Sequence, residues 1–83
     1  MAIDYAKLRS LSARQLINAL LREGFLFDRS SGSHHHYRHP DGRHVTVSFH
    51  RPGQTFTPKT LKSMIETQAR WADADLRRLG LMN

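Results

Sequence analysis

Cysteine is absent from this chain of 83 residues, which excludes disulfide bridges and zinc sites built on thiolates. No apolar run approaches the roughly 20 residues that a membrane-spanning helix needs, so no membrane partner is predicted. The first residues also lack the apolar core of a secretory signal, so the default location is the cytoplasm. The length predicts one domain over residues 1–83, with residues 1–10 as a loosely ordered N-terminal segment.

Negative charge is scarce, because 7 Asp and Glu stand against 13 Lys and Arg, for a formal net charge of +6. Such an excess favours RNA, DNA or an acidic protein as the partner. All six histidines lie between positions 34 and 50, and an imidazole exchanges protons near neutral pH. The two features together predict chemistry on a nucleic acid rather than packing alone.

Local signals predict a helix over residues 13–23. Ser12 and Gln15 form a capping box, and Gly24 supplies the stop because it tolerates a positive φ. Between them an apolar stripe follows the helical spacing, formed by Leu16, Ile17, Leu20 and Leu21.

Two more helices are predicted in the C-terminal part. Thr57 caps the first of them, with Pro58 at its first helical position. Its buried side is predicted to comprise Leu61, Met64, Ile65, Gln68 and Ala69. A short final helix starts near Asp73 and stops at Gly80. Trp71, which lies between the two helices, is predicted to pack in the core rather than stack on a base.

Three short strands are predicted between the helices, over residues 25–29, 34–39 and 44–50, joined by turns. Alternation directs Val45, Val47 and Phe49 to one face of the sheet. His35 and Tyr37 join that inward face, whereas His34 and His36 face solvent.

The predicted order is α-β-β-β-α plus a short helix, an α+β fold with a three-stranded antiparallel sheet covered by helices on one face. This is the arrangement of the double-stranded-RNA-binding-domain fold.

A set of short motifs, spread over roughly residues 8 to 80, resembles the HicA family of mRNA interferase toxins. The motifs are Gly24-Phe25, Arg29, Gly32-Ser33-His34-His35, Asp41-Gly42, Val45-Thr46-Val47, His50 and Thr60-Leu61. The resemblance implies a fold like that of double-stranded-RNA-binding domains, metal-free cleavage of mRNA by one histidine of the Gly-Ser-His motif, and neutralisation by a HicB-type antitoxin. Carried over, the catalytic residue is His34. Ser48, where most members have proline, and His36 depart from the family pattern.

An imidazole suits the proposed chemistry, because attack of a ribose 2′-hydroxyl on the adjacent phosphate needs a base and the leaving oxygen needs an acid. The alternative for His34 is a surface histidine on a strand. His35 is predicted to be a packing residue whose ring nitrogen finds a backbone partner.

Candidate RNA contacts form a larger set, and for each of them a solvated side chain or a turn residue is the alternative. The set comprises Arg29, Gly32, Ser33, His36, Arg38, Arg43, His50 and Arg51.

A metal site built on His34 and His36, with His39 or His50 as a third ligand, is an alternative use of the histidines. Because no spacing fits a known structural zinc motif, we predict neither a metal nor a cofactor.

Three functions compete at this point: an endoribonuclease toxin, a non-catalytic module that reads A-form RNA by its shape, and a domain that binds an acidic protein.

Overall fold

A computed structural model describes residues 3–82 and confirms the predicted order of elements. The elements are a 3₁₀ helix Tyr5–Leu8, α1 Ala13–Glu23, β1 Leu26–Ser31, β2 His34–Arg38, β3 His44–Ser48, α2 Pro58–Lys62 with a π-helical continuation Ser63–Gln68, and α3 Asp73–Arg78. The predicted domain covers residues 1–83, and its N-terminal segment covers residues 1–10. Of these, Met1, Ala2 and Asn83 lie outside the described residues. Among residues 3–82, no helix has the length and apolarity needed to cross a membrane.

The three strands form one antiparallel sheet in the order β1-β2-β3. Its limits differ from the prediction at four places, the first being that β1 continues to Ser31 instead of ending at Arg29. Phe25 precedes β1 and is fully buried, β2 ends before His39, and β3 ends before Phe49. The N–H of His39 still donates to the carbonyl of Arg43 at 2.9 Å, and its ring Nε2 donates to the carbonyl of Glu23 at 3.2 Å. His50, predicted within the third strand, therefore lies in the loop that follows β3.

The first helix has the predicted limits. The Ser12 hydroxyl accepts from the N–H of Gln15, and the Gln15 side chain accepts from the N–H of Ser12. Gly24 ends the helix with a φ of +106°. The predicted stripe is wrong at Leu21, whose side chain is 48% exposed, because it lies about 100° around the helix from Leu20. Ala13, Leu16, Ala19 and Leu20 form the buried face instead.

The second helix begins as predicted, with the Thr57 hydroxyl accepting from the N–H of Thr60. Leu61, Met64, Ile65 and Ala69 are buried as predicted. Gln68 has a different role, because its side chain accepts from the N–H of Thr46 at 2.8 Å. That hydrogen bond satisfies one N–H at the outer edge of β3, which pairs with no strand other than β2 within residues 3–82.

Glu23 joins the end of α1 to the C-terminal part of the chain. Its carboxylate accepts from the indole N–H of Trp71 at 3.3 Å and lies 2.9 Å from Nη2 of Arg78. Trp71 is only 3% exposed and contacts Phe25 edge to face, with ring centroids 6.3 Å apart. The prediction that this tryptophan packs in the core is thus confirmed. The helices and the inner face of the sheet share one hydrophobic core.

Candidate functional site

The face of the sheet that points away from the helices, called here the outer face, carries four of the nine predicted site residues. Strand register places Arg29 opposite His36, and Ser31 opposite His34. In the same way His34 faces Ser48, His36 faces Thr46 and Arg38 faces His44. Directly paired residues share a face, so the outer face is formed by Leu26, Arg29, Ser31, His34, His36, Arg38, His44, Thr46 and Ser48.

Two histidines of the outer face stack on each other. The rings of His36 and His44 have centroids 5.5 Å apart and an interplanar angle of 23°. Nδ1 of His36 lies 3.0 Å from the hydroxyl of Thr46, which fixes the ring orientation. Partial burial, reinforced by the charge of Arg29 and by the neighbouring imidazoles, lowers the pKa of His36 below its ordinary value. The neutral form of His36 therefore predominates at neutral pH.

His34 is exposed and lies directly after the turn that joins β1 to β2. Within residues 3–82, its imidazole forms no hydrogen bond and no ring contact. Gly32 opens the turn with a φ of +58°, as expected for a two-residue hairpin loop with glycine at its first position. The turn thus presents His34 to solvent.

His35 occupies the opposite face and is held in place. Its Nδ1 lies 3.0 Å from the carbonyl oxygen of Ser33, and its ring stacks on Phe49 at a centroid distance of 4.2 Å. The N–H of Phe49 donates to the same carbonyl at 3.0 Å. The prediction of a packing residue with a backbone partner is confirmed. A carbonyl only accepts, so Nδ1 carries the proton, and in the neutral ring Nε2 carries the lone pair.

The second ring nitrogen of His35 is available to a ligand. Among the described residues Nε2 has no hydrogen-bond partner, and His35 as a whole is half-buried. A histidine with one nitrogen fixed by an acceptor and the other open has the arrangement that general-base catalysis requires.

The loop after β3 brings His50 and Arg51 to the same end of the sheet. Both are exposed, and they follow Phe49, which is bonded to the turn through Ser33. The backbone N–H of His50 donates to the side chain of Gln54 at 3.0 Å. The structure therefore collects the turn, both motif histidines and this loop at one end of the molecule.

Arg43 is positioned differently from the other candidate RNA contacts. Its guanidinium donates to the carbonyl of Ala69 and to the carboxylate of Asp41, each at 2.8 Å, and lies 5.0 Å from the ring centroid of Phe25. The side chain is only 15% exposed. The N–H of Arg43 also donates to Asp41, which holds the pKa of that carboxyl below its usual range. Through these contacts Arg43 joins the second hairpin to the helical layer.

The chain matches the family described as HicA toxin of bacterial toxin-antitoxin systems over residues 13–71. It belongs to the HicA toxin family. The matched range contains α1, all three strands and the complete Gly32-Ser33-His34-His35 motif, so the resemblance drawn from the motifs is confirmed. No individual curated protein matches the chain.

Two residues of this HicA toxin were not selected from the sequence, His44 and Phe49. The stacking of His44 on His36 depends on the register of β2 against β3. The one sequence signal for that register is the length of the turn between the two strands. Phe49 was assigned to the inward face, but its stacking on His35 depends on where β3 ends.

The histidines do not converge on one point. His39, weighed as a third metal ligand, turns toward Glu23 and the N–H of Asp41. Within residues 3–82, no group of three or more His, Cys, Asp or Glu side chains is arranged to hold a metal ion.

Proposed function

We propose that this HicA-family toxin is a metal-independent endoribonuclease that cleaves mRNA in the cytoplasm and is neutralised by a HicB-type antitoxin. The family, the net charge of +6 and the exposed motif support the proposal. The observation that carries it is the fixed imidazole of His35, whose Nδ1 is held by Ser33 while Nε2 remains open.

The reaction requires only proton transfer and charge stabilisation. The ribose 2′-hydroxyl attacks the adjacent phosphorus, its proton passes to a base, and the bond to the leaving 5′-oxygen breaks as that oxygen takes up a proton. The products are a 2′,3′-cyclic phosphate and a 5′-hydroxyl. A positioned imidazole contributes about 10² to 10⁴-fold to such a step.

The motif offers two imidazoles for this role. The resemblance assigns catalysis to His34, and its exposed ring beside the turn keeps it a candidate. The fixed tautomer of His35 makes it the stronger candidate for the base, since its Nε2 lone pair has a defined direction. We therefore assign proton transfer first to His35 and second to His34.

The remaining candidate residues are proposed to hold the RNA backbone. Gly32 and Ser33 allow close approach of a phosphate at the turn. Three exposed arginines on the outer face and in the loop after β3 supply the positive charge: Arg29, Arg38 and Arg51. His36 and His50 add imidazoles whose N–H groups can donate to phosphate oxygens. Arg43 is not included, because its guanidinium bonds within the fold.

The antitoxin is proposed to cover this basic, histidine-bearing surface. The charges that attract RNA also attract an acidic protein, so a partner placed there excludes the substrate. A non-catalytic RNA-binding module remains the second candidate function, because the fold is also suited to recognising A-form RNA by its shape.

The test is cleavage of a single-stranded RNA by the intact chain and by H34A and H35A, in excess EDTA. We expect cleavage by the wild type, a loss of at least about 10²-fold in H35A, and a smaller loss in H34A. Circular dichroism and the fluorescence of Trp71, the single tryptophan, verify that each variant is folded.

Each other result contradicts a defined part of the proposal. Loss of activity in H34A with full activity in H35A reverses the assignment. Cleavage that disappears only when EDTA is added contradicts metal independence, and RNA binding without cleavage favours the non-catalytic module.

A further inference from the structure

We propose that His36, His44 and Arg29 form a phosphate-binding site on the outer face, and that RNA binding there takes up protons. The inference rests on the proposed function in taking RNA as the ligand. It adds His44, which no family motif marks, and a dependence of affinity on pH.

The two imidazoles are arranged to act on one anion. Their rings lie nearly parallel, with centroids 5.5 Å apart and an angle of 23°. The Thr46 hydroxyl holds Nδ1 of His36 at 3.0 Å, so that the ring presents its other nitrogen away from Thr46. Arg29 lies directly opposite His36 in the ladder, and its side chain is 65% exposed. Guanidinium and imidazolium N–H groups are strong donors to phosphate oxygens.

The surroundings of His36 disfavour a second positive charge in the absence of an anion. Arg29 and Asp28 face it from β1, His34 and Arg38 lie on its own strand, and His44 faces it from β3. Asp28 is the single acidic group among these five, and it lies 3.7 Å from the guanidinium of Arg29. A bound phosphate supplies the missing negative charge and stabilises both imidazolium ions.

The sign of the pH effect follows from this arrangement. The pKa of His36 in the free protein lies below its ordinary value, mainly because of partial burial and the charge of Arg29. Phosphate raises that pKa, so the complex holds more protons than the free protein at pH values between the two. Affinity therefore rises as the pH falls through the pKa of the bound form, and levels off below that of the free form.

Hydroxyl groups and cations predominate on the outer face, whose one apolar side chain, Leu26, lies at the end beside Arg38. This composition favours a phosphate over an apolar protein surface. Ser31, Thr46 and Ser48 lie on the same face, and Arg38 adjoins His44. Protein interfaces bury an apolar centre with few charges, whereas nucleic-acid interfaces are polar and strongly positive. The observations thus favour the RNA backbone.

The experiment measures binding of an RNA oligonucleotide that carries a 2′-O-methyl group on every ribose and therefore cannot be cleaved. Fluorescence anisotropy gives its Kd between about pH 5.5 and pH 8 at constant ionic strength in EDTA. We expect the affinity of the wild type to rise severalfold per pH unit below about pH 7, the limit being tenfold for each proton taken up. The H36Q/H44Q double variant should lose most of this rise. H39Q is the matched control, since it removes a histidine that bonds to the carbonyl of Glu23 and is not a proposed RNA contact, and it should keep the slope.

A second measurement reads the site directly. In NMR titrations of the histidine Cε1–H signals, the pKa of His36 should rise when the oligonucleotide is added. Three results overturn the inference: binding by the wild type that does not vary with pH, a pH slope that survives in H36Q/H44Q, or polyglutamate that reproduces the same slope and displaces the RNA.

The two proposals fail separately. Cleavage that cannot be detected, together with binding whose pH slope depends on the pair, contradicts the nuclease alone. Cleavage that persists while binding is independent of pH contradicts the phosphate site alone.

Discussion

At the scale of single residues, Arg70 has a backbone conformation that its side chain disfavours. Its φ is +58°, and it is the non-glycine residue with positive φ within residues 3–82. It follows Ala69, where the π-helical segment ends, and the N–H of Trp71 donates back to the carbonyl of Ile65 at 2.8 Å. This closure of the helix end favours glycine at the position that arginine occupies. The strain is retained because Trp71 must turn into the core.

We expect R70G to raise the free energy of unfolding by about 0.5–1 kcal/mol. Relief of a left-handed conformation gains about 1–2 kcal/mol, and the added flexibility of glycine in the unfolded chain offsets about half of that. Urea denaturation followed by Trp71 fluorescence measures the difference. R70A is the control, since it removes the same charge but keeps the β-carbon. Equal stability of the two variants would show that the backbone conformation is not the cause.

The motif histidines show how far residue-level reasoning extends. Alternation along β2 placed His35 inward and His34 outward, and the structure confirms both positions. The partners of the rings were not predictable in the same way. The stacking of His35 on Phe49 and of His36 on His44 depends on strand register and on where β3 ends.

At the scale of elements, α1 is specified by its own residues. Both hydrogen bonds of the capping box between Ser12 and Gln15 are formed. Ala13, the first residue of the helix, is fully buried. The N–H groups of Ala13 and Arg14 also donate to the carbonyls of Gln54 and Pro52, at 2.8 and 3.0 Å. The cap therefore fixes the start of α1 beside the loop that carries the candidate residues His50 and Arg51.

We expect S12A to lower the free energy of unfolding by about 1 kcal/mol, because it leaves the N–H of Gln15 without its acceptor. S10A provides the comparison, since Ser10 is exposed and outside the capping box, and its effect should stay below about 0.5 kcal/mol. Urea unfolding measured by circular dichroism gives both values. Equal effects in the two variants would mean that the capping box does not contribute.

Elements with local start and stop signals were predictable from the sequence, and those set by tertiary contacts were not. Ser12, Gly24 and Pro58 mark boundaries that the structure confirms. The π-helical segment has no comparable signal, because it forms where Gln68 reaches across to the N–H of Thr46. The charge of Arg43 is visible in the sequence and predicts an RNA contact, whereas its acceptors, 26 residues away at Ala69 and in the adjacent turn, are visible only in the structure.

At the scale of the whole molecule, the surplus of positive charge should govern RNA affinity. With a net charge of +6, binding to a polyanion releases counterions, so affinity falls as salt concentration rises. The arginines differ in their availability for this role. Arg29 is exposed on the outer face, whereas Arg43 is bonded to Asp41 and Ala69.

We expect R29Q to reduce the slope of log K against log salt by about 0.7, the contribution of one phosphate contact on a single strand. Anisotropy titrations with the 2′-O-methyl oligonucleotide, from about 50 to 200 mM salt, measure the slope. K7Q is the matched control, because it removes the same charge from a depression formed with Leu11, Asn18 and Gly80. If the two variants change the slope equally, net charge alone attracts the RNA. If R29Q alone changes it, the backbone of the RNA contacts the outer face beside His36.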